Sequence, residues 1–497
     1  MIYNFNLGIG WASSGVEFAQ LYRARIFRRL GQPARFIFTD MFPRDNIEHL
    51  TANIGYLDEE IIWLYTYFTD FHTAPVTYTL SDFLSTLSEV DYSLSRTGKI
   101  GRIYYPHDDK FITLYFSDEK SENLHRVELV SGGNLIRKDY FTYGKVYSEY
   151  YAPLDGKAHL YLRRFFNTDG TAAYDEIIDD DEVMFRFPDR ILYSKEELVG
   201  YFVQSLHLSE EDTVIIDRTT GIGQAILENA GMAAVGIAVH ADHYSASNIT
   251  EDHILWNNYY EYSFDMVRHL NFFLVSTDAQ KHKMEEQFEK YIGEVPAVYT
   301  VPVGNLEKLV RSKKRRPFSV ITASRLASEK HIDWIIEAVC AARQEVPEIT
   351  LDVCGEGREM KSLRKLIAER DASSFIRLLG QQDMSELYRD YELYLSGSTS
   401  EGFGLSLMEA VGSGLPIIGF DVPYGNPTFI DDGKNGYLVP VDDKMPIQQK
   451  IDGLRDALVR FFRESDRAAF SEASYKKAEA FLTEKVMEQW KKVIDRK

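Results

Sequence analysis

Two glutamates, Glu401 and Glu409, frame the segment Ser400-Glu401-Gly402-Phe403-Gly404-Leu405-Ser406-Leu407-Met408-Glu409-Ala410, which is followed by Gly412-Ser413-Gly414-Leu415-Pro416. Along a helix, eight residues span about 12 Å at about 1.5 Å per residue. Carboxylates so far apart do not share one bond as an acid/base pair. They suit the two ends of an elongated ligand such as a nucleotide sugar. Gly402 and Gly404 allow a tight strand-to-helix turn, and a helix starting near Leu405 aims its free amides at whatever lies before it. The plain alternative is a capped helix with a surface glutamate. A second glycine-rich turn, Gly8-Ile9-Gly10-Trp11-Ala12-Ser13-Ser14-Gly15, lacks the G-x-G-x-x-G spacing of a dinucleotide fingerprint. It still places glycines where backbone can approach a ligand, with the amides near Gly15, Val16 and Glu17 opening a helix.

These residues need elements to hold them. Tyr3–Gly10 reads as a strand, Val16–Leu30 as a helix with apolar residues at helical spacing, and Ala34–Thr39 as a second strand. That is a βαβ start to a parallel sheet. From Lys99 to about Phe187 the texture changes to short aromatic strands (GRIYYP, FITLYFS, RVELV, LIRKDYFTY, AHLYLRRFF, EVMFRF) separated by turn clusters. Gly132-Gly133 and Asp155-Gly156 are the best hairpin signals. With no helical crossovers, this is an antiparallel meander inserted into the first α/β domain. The α/β texture returns near Ser194 (VIIDR, GIAVH, NFFLVST), and a third section follows the basic stretch 311–317 (FSVITAS, ITLDVCG, FIRLLG, LYLSGS, LPIIGFD, NGYLVPV). The expected fold is α/β. Two Rossmann-like domains face a cleft, the first split into residues 1–74 and 194–303 around an insertion at 75–193, the second covering 304–497. His240 closes the strand GIAVH, at the end from which side chains point into such a cleft; His243, three residues on, is its rival.

Glu401 and Glu409, with Gly402-Phe403-Gly404 between, resemble the E-x7-E motif of retaining glycosyltransferases of the GT-B fold. Ser324-Arg325-Leu326-Ala327-Ser328-Glu329-Lys330 resembles that family's S/G-R-L-x-x-x-K segment, and Asp432-Gly433-Lys434-Asn435-Gly436-Tyr437-Leu438-Val439 its D-G-x-N-G-x-L-V lead-in to a strand. The whole chain, including NLGIGWASSGVEFAQ and the meander, is similar to the bacterial catalytic subunits that place the first N-acetylglucosamine on Ser/Thr of serine-rich repeat adhesins. The resemblance implies UDP-GlcNAc as donor. It implies Arg325 and Lys330 on the diphosphate, His240 and Glu401 around the sugar, Gly402 close to it, Phe403 and Gly404 in the donor loop, and Glu409 on the ribose. Gln381 and Gln382 fall where the family reads uracil. The chemistry agrees: a diphosphate needs cations, and Arg325 offers paired donors and Lys330 a point charge, although both can instead form surface ion pairs with Glu329. Asp179-Asp180-Asp181 matches D-x-D only as an acidic turn, so metal-independent transfer, with no cofactor, is expected.

Composition narrows the partners. Lys+Arg 56 against Asp+Glu 76 gives −20, a charge that disfavours nucleic acid. Cys340 and Cys354 cannot build a disulfide framework. No basic, apolar leader and no membrane-length apolar run is present, so a cytoplasmic location is expected, with peripheral association at the cytoplasmic face of the membrane through a complex. The resemblance assigns the meander to a homologous, non-catalytic GtfB-like partner subunit, and an open antiparallel sheet does leave an edge to pair. Two rival readings are a teichoic-acid (polyol-phosphate) N-acetylglucosaminyltransferase, whose polyanionic acceptor suits this charge poorly, and a non-catalytic binding subunit, which needs no diphosphate clamp.

Overall fold

The structure, a computed structural model, describes residues 1–10, 15–42, 45–88, 91–312, 314–442 and 444–496. It forms two compact units, Met1–Ala238 with Asn258–Asn271, and Val239–Asn257 with Phe272–Lys497.

In the first unit, five strands run parallel in the spatial order Ala234–Ala238, Thr213–Ile216, Ile2–Asn6, Ala34–Phe38, Ile61–Trp63. Chain order reverses between Ile2–Asn6 and Thr213–Ile216, so a switch point lies beyond the carboxyl ends of those two strands. The opening strand is shorter than Tyr3–Gly10. The Asn6 side-chain oxygen accepts the Leu7 N–H at 2.9 Å and turns the chain out of the sheet. The first helix, Gly15–Leu30, packs Ala19, Ala24, Ile26 and Phe27 inward. It is pinned by a buried polar cluster: Arg23 donates to both oxygens of Asp217 at 2.8 and 2.9 Å and to Asn4 at 2.9 Å, while Gln20 donates to Asp217 at 2.6 Å. A buried ion pair is tolerable when the carboxylate is paired on both oxygens, as Asp217 is here. Of the glycine-rich turn, Trp11, Ala12, Ser13 and Ser14 lie outside the described residues.

The meander is a single sheet of ten strands, from Ser93–Thr97 to Ile191–Leu192, each antiparallel to the next in sequence. Gly132-Gly133 and Asp155-Gly156 all take positive φ and close two-residue hairpins, as their sequence predicts. Four strands lie outside the six segments read from the sequence: Ser93–Thr97, Lys145–Leu154, Ala172–Asp179 and Ile191–Leu192. Lys145–Leu154 contains Pro153, which is accommodated because the preceding strand pairs only as far as Tyr150. The aromatic residues form a stack at the sheet's base: Tyr65, Phe165, Tyr174 and Phe187 lie ring on ring at 4.5–5.7 Å, and Phe68 stacks on Tyr201 at 4.7 Å. They bind the insertion to its own α/β unit.

The second unit holds a six-stranded parallel sheet in the order Ile376–Gly380, Thr350–Cys354, Ser319–Ala323, Leu393–Leu395, Ile417–Phe420, Gly436–Val439. Its central strand is buried on both faces, with Val320 in one apolar cluster and Ile321 in the other. The helix Ile332–Ala342 buries Ile335, Ile336, Val339 and Ala342 on one side. Each such aliphatic contributes about 1.5–3 kcal/mol, and Ile335→Ala would cost about 2–5 kcal/mol. Strand order reverses between Ser319–Ala323 and Leu393–Leu395, which sets a second switch point. The basic stretch 311–317, of which Lys313 lies outside the described residues, is a plug rather than a tether. Arg315 donates to the carbonyls of Tyr391 at 2.6 Å, Ser413 at 2.7 Å and Gly414 at 3.1 Å, closing the end of the helix Leu405–Gly412.

Candidate active site

Both loops that leave the second switch point carry charged residues. After Ser319–Ala323, Leu326 is fully buried and its N–H donates to the Glu356 carbonyl at 2.8 Å. This anchors the loop between Arg325 and Lys330. Arg325 stands 72% exposed and paired with Glu329 at 2.9 Å, the surface ion pair weighed above. Such a pair is worth at most about 1 kcal/mol, so a phosphate can displace Glu329. Lys330 ends the short 3-10 turn Ser328–Lys330 and reaches across to the other loop, with Nζ 2.7 Å from Glu401 Oε2.

Glu401 lies on extended backbone bridged to Tyr424, before the helix Leu405–Gly412, so only Glu409 is helical and the 12 Å helical spacing does not apply. The Glu401 carbonyl accepts N–H bonds from Tyr424 at 2.8 Å and Gly425 at 2.6 Å. A Cβ at Gly425 would collide with the Phe403 carbonyl and stand 2.8 Å from Glu401 Cγ, so this approach requires glycine. Gly404 caps the helix with φ +89°, the left-handed region. A Cβ on Gly402 would lie 3.3 Å from the His240 carbonyl oxygen. The Phe403 side chain is turned into the core, against Phe429 and Phe481, and leaves only its backbone to the loop surface. Burial pushes the Glu409 carboxyl up to about 7, against the lowering effect of the Tyr388 hydroxyl. That hydroxyl is itself buried, beside the carboxyl that it faces.

The two histidines differ sharply. His240 is partly exposed. His243 is fully buried, with Nε2 2.7 Å from Gln287 Oε1 and Nδ1 3.4 Å from the Tyr424 hydroxyl. Burial lowers its pKa to about 4, so it stays neutral. Gln381 and Gln382 are exposed just past Ile376–Gly380, and the Gln382 amide folds back onto the Leu379 carbonyl at 2.8 Å. In the first unit, Gly15 and Val16 open the first helix with Gly15 exposed, whereas the Glu17 carboxylate is buried 3.8 Å from Arg218. The D-G-x-N-G segment is structural: Asn435 is buried, accepting from Asp431 N–H at 2.6 Å and donating to the Phe429 carbonyl at 2.9 Å. Asp179-Asp180-Asp181 is exposed, at the end of the strand Ala172–Asp179 and in the turn that follows it. Among the described residues no group of three or more His, Cys, Asp or Glu could hold a metal ion, and no helix is long and apolar enough to cross a membrane. Sequence reasoning passed over Asp242, Ser400 and Tyr424, which surround Glu401. Only the turn signal Pro423-Tyr424-Gly425 hinted at the last.

The profile of the GtfA extended beta-sheet domain matches residues 93–189, and that of glycosyl transferases group 1 matches residues 307–476. The UDP-N-acetylglucosamine–peptide N-acetylglucosaminyltransferase GtfA subunit of Streptococcus gordonii is 52% identical over 495 residues, spanning 99% of this chain and 98% of its own. The chain belongs to the GtfA family. Its fold is GT-B with the inserted antiparallel sheet, as the sequence implies. The crystal structure of the pneumococcal O-GlcNAc transferase GtfA in complex with UDP and GlcNAc matches with a TM-score of 0.92 at 49% identity, covering 100% of this chain and 98% of that one. A crystal structure of a GtfA/B complex matches with a TM-score of 0.96 at 52% identity, covering 100% and 99%. GtfA membership puts the Lys330–Glu401 pair and the buried Glu409 in a glycosyltransferase.

Proposed function

We infer that the protein is a retaining glycosyltransferase that moves N-acetylglucosamine from UDP-N-acetylglucosamine to Ser/Thr hydroxyls of a polypeptide, working with a GtfB-like subunit. The observation that carries this is a complete E-x7-E loop in a chain that spans 98% of a GtfA relative, with Glu401 held on Lys330 at 2.7 Å. The polyol-phosphate and non-catalytic readings give way to it. A serine-rich repeat adhesin is the acceptor we propose, and this transfer the first step of its glycosylation.

The diphosphate draws Arg325 away from Glu329 and approaches Lys330, whose charge Glu401 already offsets in part. These two cations neutralise the leaving group, which is why we propose transfer without a metal. His240 and Glu401 flank the sugar, Gly402 admits its close approach, and the Gly404 turn and the amides of Gly15, Val16 and Glu17 contribute further donor contacts. Glu409, ionised, accepts the ribose hydroxyls. Gln381 and Gln382 border the base. The bond from the anomeric carbon to the phosphate oxygen breaks, a bond to the Ser/Thr oxygen forms on the same face, and the hydroxyl proton passes to the departing phosphate. We assign the meander to the partner subunit. Its edge strand Ser93–Thr97 leaves Leu94 42% exposed, and Ile100 and Tyr104 on the neighbouring strand are 50% and 48% exposed. Action in the cytoplasm, at the membrane face through the complex, is part of the same proposal.

The test is sugar transfer from UDP-N-acetylglucosamine to a Ser/Thr-rich peptide, with and without the partner subunit and with UDP-glucose in parallel. Transfer that needs the partner, prefers UDP-N-acetylglucosamine, and is lost in His240→Ala and Glu401→Gln is expected. Transfer only to a polyol-phosphate polymer would refute it.

A further inference from the structure

Four side chains close to Glu401 take no part in the transfer described above: Asp242, His243, Ser400 and Tyr424. His243 donates from Nε2 to the Gln287 amide oxygen at 2.7 Å, since that oxygen only accepts. Its Nδ1 is therefore an acceptor, and the Tyr424 hydroxyl meets it at 3.4 Å. Tyr424 in turn gives its backbone N–H to the Glu401 carbonyl at 2.8 Å. On the other side, Ser400 Oγ donates to Asp242 Oδ2 at 3.1 Å, one residue before Glu401. One residue after it, Gly402 lies against the His240 carbonyl. Behind, the segment is fixed by the helix Asp278–Tyr291: Gln280 donates to the Ala241 carbonyl at 2.9 Å and Gln287 holds His243. Asn257 adds bonds to the carbonyls of Asp242 at 2.8 Å and His243 at 3.0 Å.

We propose that Asp242 and His243 are positioning residues, acting through Ser400 and Tyr424, that clamp the Glu401 loop on both sides to the segment carrying His240. The clamp sets the separation of His240 and Glu401 before the donor arrives. Its value is preorganisation: a misplacement of about 1 Å in a reacting constellation can cost about 10²-fold in rate. A loop leaving the end of a three-residue strand such as Leu393–Leu395 has little regular structure of its own to hold it that closely. A neutral imidazole suits the task, because it offers one donor and one acceptor on opposite edges and carries no charge to repel Lys330. The inference rests on the reading in which His240 and Glu401 flank the sugar.

Tyr424→Phe removes only a hydroxyl and keeps the ring and the backbone bonds; Ser400→Ala removes the other bridge. Asp242→Asn keeps an acceptor for Ser400. In the protein with its partner subunit, Tyr424→Phe and Ser400→Ala are each expected to lower kcat by about 5–30-fold, with KM for UDP-N-acetylglucosamine within about twofold and an unchanged thermal midpoint. Asp242→Asn is expected to keep most of the wild-type kcat. Hydrogen exchange reads the clamp without any substrate: the amides of residues 400–404 and 424–425 should exchange faster in the two bridge-breaking variants. Unchanged exchange, or a kcat within twofold of wild type while wild type transfers sugar, would overturn the clamp. So would a loss of kcat that merely tracks a fall in thermal midpoint. Faster exchange in a protein that transfers no sugar would support the clamp and sink the catalytic reading beneath it.

Discussion

Glu149, Arg163 and Glu176 in the antiparallel sheet and Lys330 with Glu401 beside the parallel one are both cation–carboxylate clusters, built to opposite ends. In the first, strand register puts the three residues directly opposite one another on neighbouring strands. Arg163 lies 2.9 Å from each carboxylate, and the hydroxyls of Tyr140 and Tyr151 complete Glu149 at 2.8 and 2.6 Å. Both glutamates are nearly inaccessible, at 2% and 3% exposed. Burial works against the Arg163 charge, yet its two carboxylates raise the guanidinium pKa, and burial raises that of Glu176. In the second, Lys330 and Glu401 keep 19% and 18% exposure. A closed cluster resists change because its carboxylates are shut away from water and share one guanidinium, with Glu149 accepting three hydrogen bonds. A half-open one holds two charges where an incoming phosphate and sugar can re-partner them.

The sharpest way to break this contrast is to remove the shared cation from the closed cluster. Arg163→Leu leaves two buried carboxylates facing each other and should cost about 3–5 kcal/mol, seen as a lowered thermal midpoint. Their folded-state pKa values then lie above the unfolded ones, so the loss is largest at pH 8 and shrinks towards pH 5, as the carboxyls take up protons. A smaller loss of free energy is expected at the open pair. Lys330→Ala should reduce kcat by about 10²–10³-fold, the effect of removing one transition-state donor, while the thermal midpoint barely moves. A midpoint that falls as far as in Arg163→Leu would erase the distinction. The smallest effect belongs to Glu409. With its carboxyl up at about 7 and ionisation needed to accept the ribose hydroxyls, UDP-N-acetylglucosamine should bind about tenfold more tightly at pH 8 than at pH 6. The same raised pKa makes this group's contribution to stability fall as pH rises from its unfolded value near 4.5 through 7. Glu409→Gln should bind weakly with a flat profile, and a sloping profile in that variant would remove Glu409 from the ribose.

Much of this was legible in the residues. Periodicity and turn chemistry placed the helix after Gly15, the Gly132-Gly133 hairpin and the parallel strands, because those depend on local pattern. The strand Lys145–Leu154 was not legible, since its Ser148, Glu149 and Pro153 are tolerated only by their neighbours in the sheet. At the site, spacing singled out Glu401 and Glu409 and the family resemblance added Lys330, but spacing set both glutamates on one helix, when Glu401 is held by a bridge to Tyr424 that no local signal encodes. Phe403 stands inside a ligand motif and yet points into the core. His243 could be separated from His240 only once Gln287, 44 residues away, closed over its ring.

The ten-stranded sheet pairs only sequence neighbours, whereas Ile2–Asn6 is flanked by Ala34–Phe38 on one side and by Thr213–Ile216 on the other. On a ribosome adding about 5–20 residues per second, those two flanks emerge roughly 10–40 s apart. Through that interval the first strand carries an open edge, and Arg23 awaits Asp217, while hairpin after hairpin of the meander can zip up as it emerges. The insertion therefore matures before the sheet that it interrupts, and within that sheet the chain's earliest residues wait for a partner made about two hundred residues later.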